Sequence, residues 1–190
     1  SFPLCDPIPE KMFKLRFKKS AIEQWASGYS YDREDIIELV IAPRIKATGF
    51  ATQPDFLALC EWKSSRPRQQ FRKNSDDFIR ATTYVALSSP NERLRIEVLT
   101  LLSGVSWPMA SVILHWCHSA HYPILDYRAL WSLSIDKPPT YDFDFWWAYT
   151  QFCRNLAQET GVPMRVLDRA LWQYSKENQK ALQPDLLPVS

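Results

Sequence analysis

Apolar residues recur at helical spacing along most of the chain, and the gaps between these runs carry cap residues, glycines and prolines. Residues 11–19, KMFKLRFKK, alternate basic and apolar positions and predict an arm, strand-like or helical, that packs through Met12, Phe13, Leu15 and Phe17 with its cations in solvent. A short helix follows over 21–26, ended by Gly28. Asp32 ahead of Glu34-Asp35 starts a helix through Val40 that Pro43 closes or kinks. Gln53-Pro54-Asp55 opens the next, with Phe56, Leu57, Leu59 and Cys60 inward and Trp62-Lys63 at its end. Ser75-Asp76-Asp77 caps a helix through Leu87, with Phe78, Ile79, Thr82, Val85 and Ala86 as core candidates. Asn91-Glu92 opens a helix carrying Leu94, Ile96, Val98, Leu99 and Leu102, and Ala110, Ile113, Leu114 and Cys117 mark another. Asp126 stands before an apolar helix with Ala129, Leu130, Trp131 and Leu133. A loop over 136–144, a helix over 145–160 ended by Gly161, and a last helix framed by Pro163 and Lys176 complete the pattern. Residues 1–9, with three prolines, read as an extended arm, and the stretch from Gln179 as a loose tail.

Composition agrees with a helical, globular chain. Of 190 residues 46% are hydrophobic, and 4 glycines stand against 14 prolines, which disfavours a β-sandwich. The net charge of +2 does not announce nucleic acid, so any basic surface is local. The 4 cysteines, Cys5, Cys60, Cys117 and Cys153, are far apart and form no C-x-x-C pair, which weakens zinc and disulfide readings. No apolar run is long enough for a bilayer and no signal peptide is visible, so the expectation is a cytoplasmic protein, monomeric and with no membrane partner.

The central stretch, residues 101–133, carries the chemistry. Ser103-Gly104-Val105-Ser106 is a tight corner between two helices, and Gly104 supplies the backbone freedom such a corner needs. Pro108 suits the first turn of the second helix, whose free N–H groups can take a phosphate. Asp126 follows as a carboxylate at a helix N-cap, a position that favours its ionised form. Between Lys63 and Lys73 there are five cations and no acid, interrupted by Pro67; this is a solvated basic loop or one that grips phosphates through Lys63, Arg66, Arg68 and Arg72. His115, His118 and His121 are spaced by three, but His121 falls beyond the helix, and surface or core roles outweigh a metal site. Most of the tryptophans fit the core; Trp62 borders the basic loop and Trp107 the glycine corner.

Leu102-x-Gly104-Val105, Ala110, Ile113-Leu114 and Tyr122-Pro123-Ile124-Leu125-Asp126 together resemble the helix-hairpin-helix DNA glycosylase superfamily, which includes endonuclease III and the adenine-specific mismatch glycosylase. The close match spans about thirty residues, with a looser helical pattern around it. The resemblance implies an all-α, two-lobed fold with a cleft. Residues 31–133 would form one lobe, ending in a hairpin over 91–119 and the Asp126 helix, and residues 1–30 with 134–190 would form the other. It implies that Asp126 is the catalytic acid and that Ser103, Gly104, Val105, Ser106 and Trp107 grip double-stranded DNA, with a monovalent cation at the hairpin in many members. It also places a wedge loop near residues 63–73, turns the loops beside Trp62 and Trp107 toward DNA, and makes Trp62 and Tyr127 candidate walls of a base pocket.

Ser106 replaces the family's second hairpin glycine, and Pro108 stands where strand-cleaving members carry lysine. No four-cysteine loop follows Cys153, so no iron–sulfur cluster is expected. The implied activity is a monofunctional glycosylase that excises a damaged or modified base, in repair or in defence against phage with modified DNA. The alternative is a non-catalytic helix-hairpin-helix DNA-binding protein; a helical interaction protein without DNA would leave the basic loop unexplained.

Overall fold

The computed structural model describes residues 12–64 and 66–180. The expected N-terminal arm with Cys5 and the tail beyond residue 180 lie outside the described residues. Among the described residues the structure is all-helical, without a strand. The helices are α1 (Ile22–Ser27), α2 (Glu34–Ile36), α3 (Ala42–Thr48), α4 (Gln53–Lys63), α5 (Arg68–Phe71), α6 (Asp76–Ser88), α7 (Glu92–Leu99), α8 (Trp107–Cys117), α9 (Tyr127–Ser132), α10 (Phe143–Thr160) and α11 (Met164–Asn178). No helix among the described residues is long and apolar enough to cross a membrane.

The caps read in the sequence form as hydrogen bonds. Ser75 accepts from the Phe78 N–H, Asn91 from Leu94 and Asp126 from Arg128. Helix α10 starts two residues earlier than expected because Asp142 caps it through the Phe145 N–H. Pro43 neither closes nor visibly breaks its helix. A π-helical stretch, Ile37–Ile41, carries the chain from α2 into α3, placing the proline in the first turn of α3, where its missing N–H costs little. Phe78, expected in the core, is exposed, and Thr83 occupies the buried face of α6 instead, donating to the Ile79 carbonyl and accepting from the Ala51 N–H.

Helix α8 is buried from Met109 through Leu114, and again at Trp116 and Cys117, so it serves as an axis. Helices α3, α4, α6 and α7 pack around it, while α11 packs against α1, α9 and α10. The arm at 12–18 is extended; its Lys14 and Arg16 N–H groups donate to the Leu133 and Ser132 carbonyls at 2.9 Å. Phe13 lies among Phe145, Tyr149 and Phe152, which confirms the packing role read for that arm.

Between α7 and α8 the chain turns at Gly104, with φ of +82°. A Cβ there would lie 2.8 Å from the Phe71 ring, because α5 is packed directly on this corner. Asn74 fastens the two: its Oδ1 accepts the Ser103 N–H at 2.7 Å, and its Nδ2 donates to the Ser103 carbonyl at 3.1 Å and the Phe71 carbonyl at 2.8 Å. Gly104→Ala therefore combines left-handed backbone strain with a clash and is expected to lower stability by about 1–3 kcal/mol. Urea unfolding checks this, and a parent-like midpoint would show that the corner tolerates a side chain.

Candidate active site

A small cavity of about 30 Å³ lies where α4, the segment before α9, the α1–α2 connection and α11 meet. That volume holds about one water. Asp126 and Ile124 come from the segment before α9, and Ala129 from α9. Helix α4 contributes Trp62 and Lys63, the α1–α2 connection Tyr29 and Tyr31, and α11 Arg165, Asp168 and Trp172.

Asp126 is held from three sides. Its Oδ1 accepts the Arg128 N–H at 2.8 Å as the N-cap of α9, and its Oδ2 pairs with the Lys63 ammonium. The preceding backbone is pinned: the Leu125 N–H donates to Ser111 Oγ at 2.8 Å, and Ser111 in turn donates to the Pro108 carbonyl. The Ile124 N–H donates to Asp168, and its carbonyl accepts from Tyr149. Ser111 thus links the first turn of α8, just past the Gly104 corner, to the Asp126 segment. Burial pushes the Asp126 carboxyl upward, but the Lys63 ammonium and the Arg128 amide outweigh it and hold the group below the usual carboxylate range. Asp126 is therefore an anion at neutral pH.

The walls are aromatic. Tyr31 stands edge-on to Trp62 at 5.4 Å and to Trp172 at 5.9 Å between ring centroids. Behind them lies Arg165, partly buried. It donates to Glu34, to Asp168 at 2.6 Å and to the Tyr29 hydroxyl at 3.0 Å, and it lies over the Trp116 ring. Arg169 also reaches Glu34. This network satisfies charges that α2 and α11 would otherwise bury unpaired.

The remaining expected site residues are placed as follows. Ser103, Gly104 and Ser106 are exposed at the corner, Val105 is buried beneath it, and the Ser106 side chain makes no cap bond to α8. Arg66, Arg68 and Arg72 are exposed, and Arg68 meets Glu61 of α4. Lys63 departs from expectation. It ends α4, as its place in the sequence suggests, but its ammonium is paired with Asp126 instead of standing free for a phosphate. Trp62 lines the cavity as expected, and its indole Nε1 is buried without a partner among the described residues. Tyr127, the first residue of α9, is not among the residues lining the cavity, and Arg128 lies over its ring. Trp107 packs against Trp146 instead of the cavity. His115 bonds the Tyr122 carbonyl, and His118 accepts from the Ala120 N–H.

Tyr29, Tyr31, Arg165, Asp168 and Trp172 were not singled out from the sequence. One signal was available. Met164, Leu167, Asp168, Leu171 and Ser175 form one buried stripe on α11, and a carboxylate on such a stripe needs a reason.

No protein-family model matches the chain, nor does a curated protein or a solved structure.

Lys63→Met would leave the Asp126 carboxylate buried without its main partner. The expected cost at pH 7 is about 3–5 kcal/mol. A carboxylate whose folded pKa is depressed contributes stability above its unfolded value and loses it as pH falls through the folded one. The penalty should therefore shrink in acid, and urea titrations at pH 7 and pH 3 would show it. A pH-independent difference would remove the ion pair from the account.

Proposed function

We propose that this protein is a monofunctional DNA N-glycosylase of the helix-hairpin-helix type, hydrolysing the bond between deoxyribose and a damaged or modified base. The observation that carries the reading is Asp126: a buried, ionised carboxylate facing an aromatic cavity and tied through Ser111 to an exposed glycine corner flanked by arginines. The α7–corner–α8 unit is then the hairpin, and the cavity is the bottom of a cleft between an α8-centred lobe and an α11-centred lobe.

Breaking the N-glycosidic bond builds positive charge on the sugar. A preorganised carboxylate stabilises that charge and orients the attacking water. The base must leave the duplex first, since stacking hides the bond. The cavity as it stands admits only water, so a flipped base enters by displacing the Tyr31 ring, which is 40% exposed at the mouth, and stacks on Trp62 or Trp172. The α8 N-terminus, uncapped by Ser106, offers amides to a phosphate, and Arg66, Arg68 and Arg72 extend that grip along the strand. Pro108 brings no amine to the corner, and Lys63 as an ammonium has no lone pair to attack C1′, so hydrolysis proceeds without strand cleavage. Repair or defence against phage with modified DNA would use the same chemistry.

A non-catalytic DNA-binding protein is the second reading, favoured by two observations: Ser106 at the corner, and an ammonium that already neutralises Asp126. Asp126→Asn separates the two. The amide can still accept the Arg128 N–H, so DNA binding survives, while single-turnover base release slows by about 10²–10³ or more. A folded Asp126→Asn protein with parent-like base release would place catalysis elsewhere, and a parent that binds DNA without releasing base would establish the second reading.

The grip has its own test. Reversing Arg66, Arg68 and Arg72 to Glu should weaken binding to all duplex sequences alike and flatten the dependence of affinity on salt, because phosphate contacts carry little sequence information. An unchanged salt slope in fluorescence-anisotropy titrations would remove this segment from the interface.

A further inference from the structure

The cavity holds a second carboxylate for which the chemistry above has no use. Asp168 lies on α11, with Oδ1 accepting the Ile124 N–H at 3.0 Å and Oδ2 accepting from Arg165 at 2.6 Å. Each oxygen keeps a further lone pair, so the group can hold a proton without giving up either bond. The charged and titratable groups facing it are Arg165 on its own helix, Lys63 from α4, Asp126 from the segment before α9, and Tyr149 and Cys153 from α10. Burial prevails over Arg165 here, Asp126 adds repulsion, and the carboxyl is pushed up to about 6, whereas Asp126 is held low. Two acids in one cavity driven in opposite directions divide the work of acid and anion.

Three of the other lining groups, Arg165, Lys63 and Tyr29, are unsuited to giving up a proton. The Arg165 guanidinium does not deprotonate in proteins. The Lys63 ammonium is spent on Asp126, and burial pushes the Tyr29 hydroxyl well above its ordinary value.

We infer that Asp168 is the proton donor to the departing base, while Asp126 faces the sugar. The inference rests on the N-glycosylase reading and deepens it. As the C1′–N bond breaks, its electron pair goes to the base nitrogen, and the Asp168 proton moves onto the base. Water then adds to C1′ and passes a proton through Asp126 to solvent, and Asp168 is reprotonated from solvent. The substrate class follows: neutral bases, which are poor leaving groups, rather than cationic alkylated purines, which depart without a proton.

The test uses the full chain in single turnovers on duplexes carrying hypoxanthine or uracil, which are neutral, and 7-methylguanine, which is cationic. Release of a neutral base by the parent should fall as pH rises through about 6, and any release of 7-methylguanine should not. Asp168→Asn should slow neutral-base release by about 10²–10⁴ and abolish that alkaline limb, yet slow 7-methylguanine less than about tenfold. Equal slowing of both kinds, or an alkaline limb that persists in Asp168→Asn, overturns the assignment. Should Asp168→Asn not fold, Asp168→Glu, which keeps a proton, should retain the limb. The parent's own contrast then decides, and a limb equally strong with 7-methylguanine overturns the inference. A parent that releases only 7-methylguanine also overturns it while leaving the N-glycosylase reading intact. A parent that releases no base from any of the three removes that reading itself, and this inference with it.

Discussion

Charge buried among aromatic rings is the constraint on which the rest depends. Glu34, Asp126 and Asp168 lie in or beside one aromatic-walled cavity, and each would be costly if left alone. Lys63 meets Asp126, and Arg165 meets both Glu34 and Asp168, with Arg169 closing on Glu34. These pairs join elements far apart in sequence: α4 to the start of α9, and α2 to α11. A fold built only for stability could fill this space with apolar side chains of similar volume at little cost. Retaining paired ions around a cavity is the arrangement expected where a reaction develops charge.

The Gly104 corner adds a second dependence. Its left-handed glycine lets α5 press Phe71 onto it, and Asn74 bonds both strands of the contact. Arg68 and Arg72 stand close to Phe71 in the chain and are exposed. Ser111 continues the connection from α8 to Leu125, so the corner and the carboxylate at Asp126 belong to one packed unit. Positioning of this kind lets backbone contacts contribute to chemistry at a distance.

Helices were legible in the sequence because caps and apolar spacing are local. Ser75, Asn91 and Asp126 each cap the helix they were expected to start, and Gly161 ends α10 as expected. Asp126 was legible as a capped carboxylate, and Trp62 as a cavity wall. Its partner was not: Lys63 was legible as the end of α4, but nothing local marks it, among the neighbouring cations, as the one that pairs with a buried acid. Tyr29, Tyr31 and Trp172 look like ordinary core aromatics until α11 is laid beside the α1–α2 connection, a long-range pairing that no spacing encodes. Tyr127 adjoins Asp126 in sequence but is not among the lining residues, since successive positions at a helix start turn their side chains apart. Pro43 lies in the first turn of α3 behind a π-helical stretch, a register change that no local spacing announces.

The central claim is that Asp126 drives release of a base from DNA, and the most direct measurement is of the base itself. Defined damaged duplexes and phage DNAs carrying modified bases would be incubated with the parent and with Asp126→Asn, abasic sites counted, and the free fraction identified by mass spectrometry. The account predicts one released base in amounts equal to the new abasic sites with the parent, and its near absence with Asp126→Asn. DNA that is bound tightly yet recovered with every base in place would contradict it.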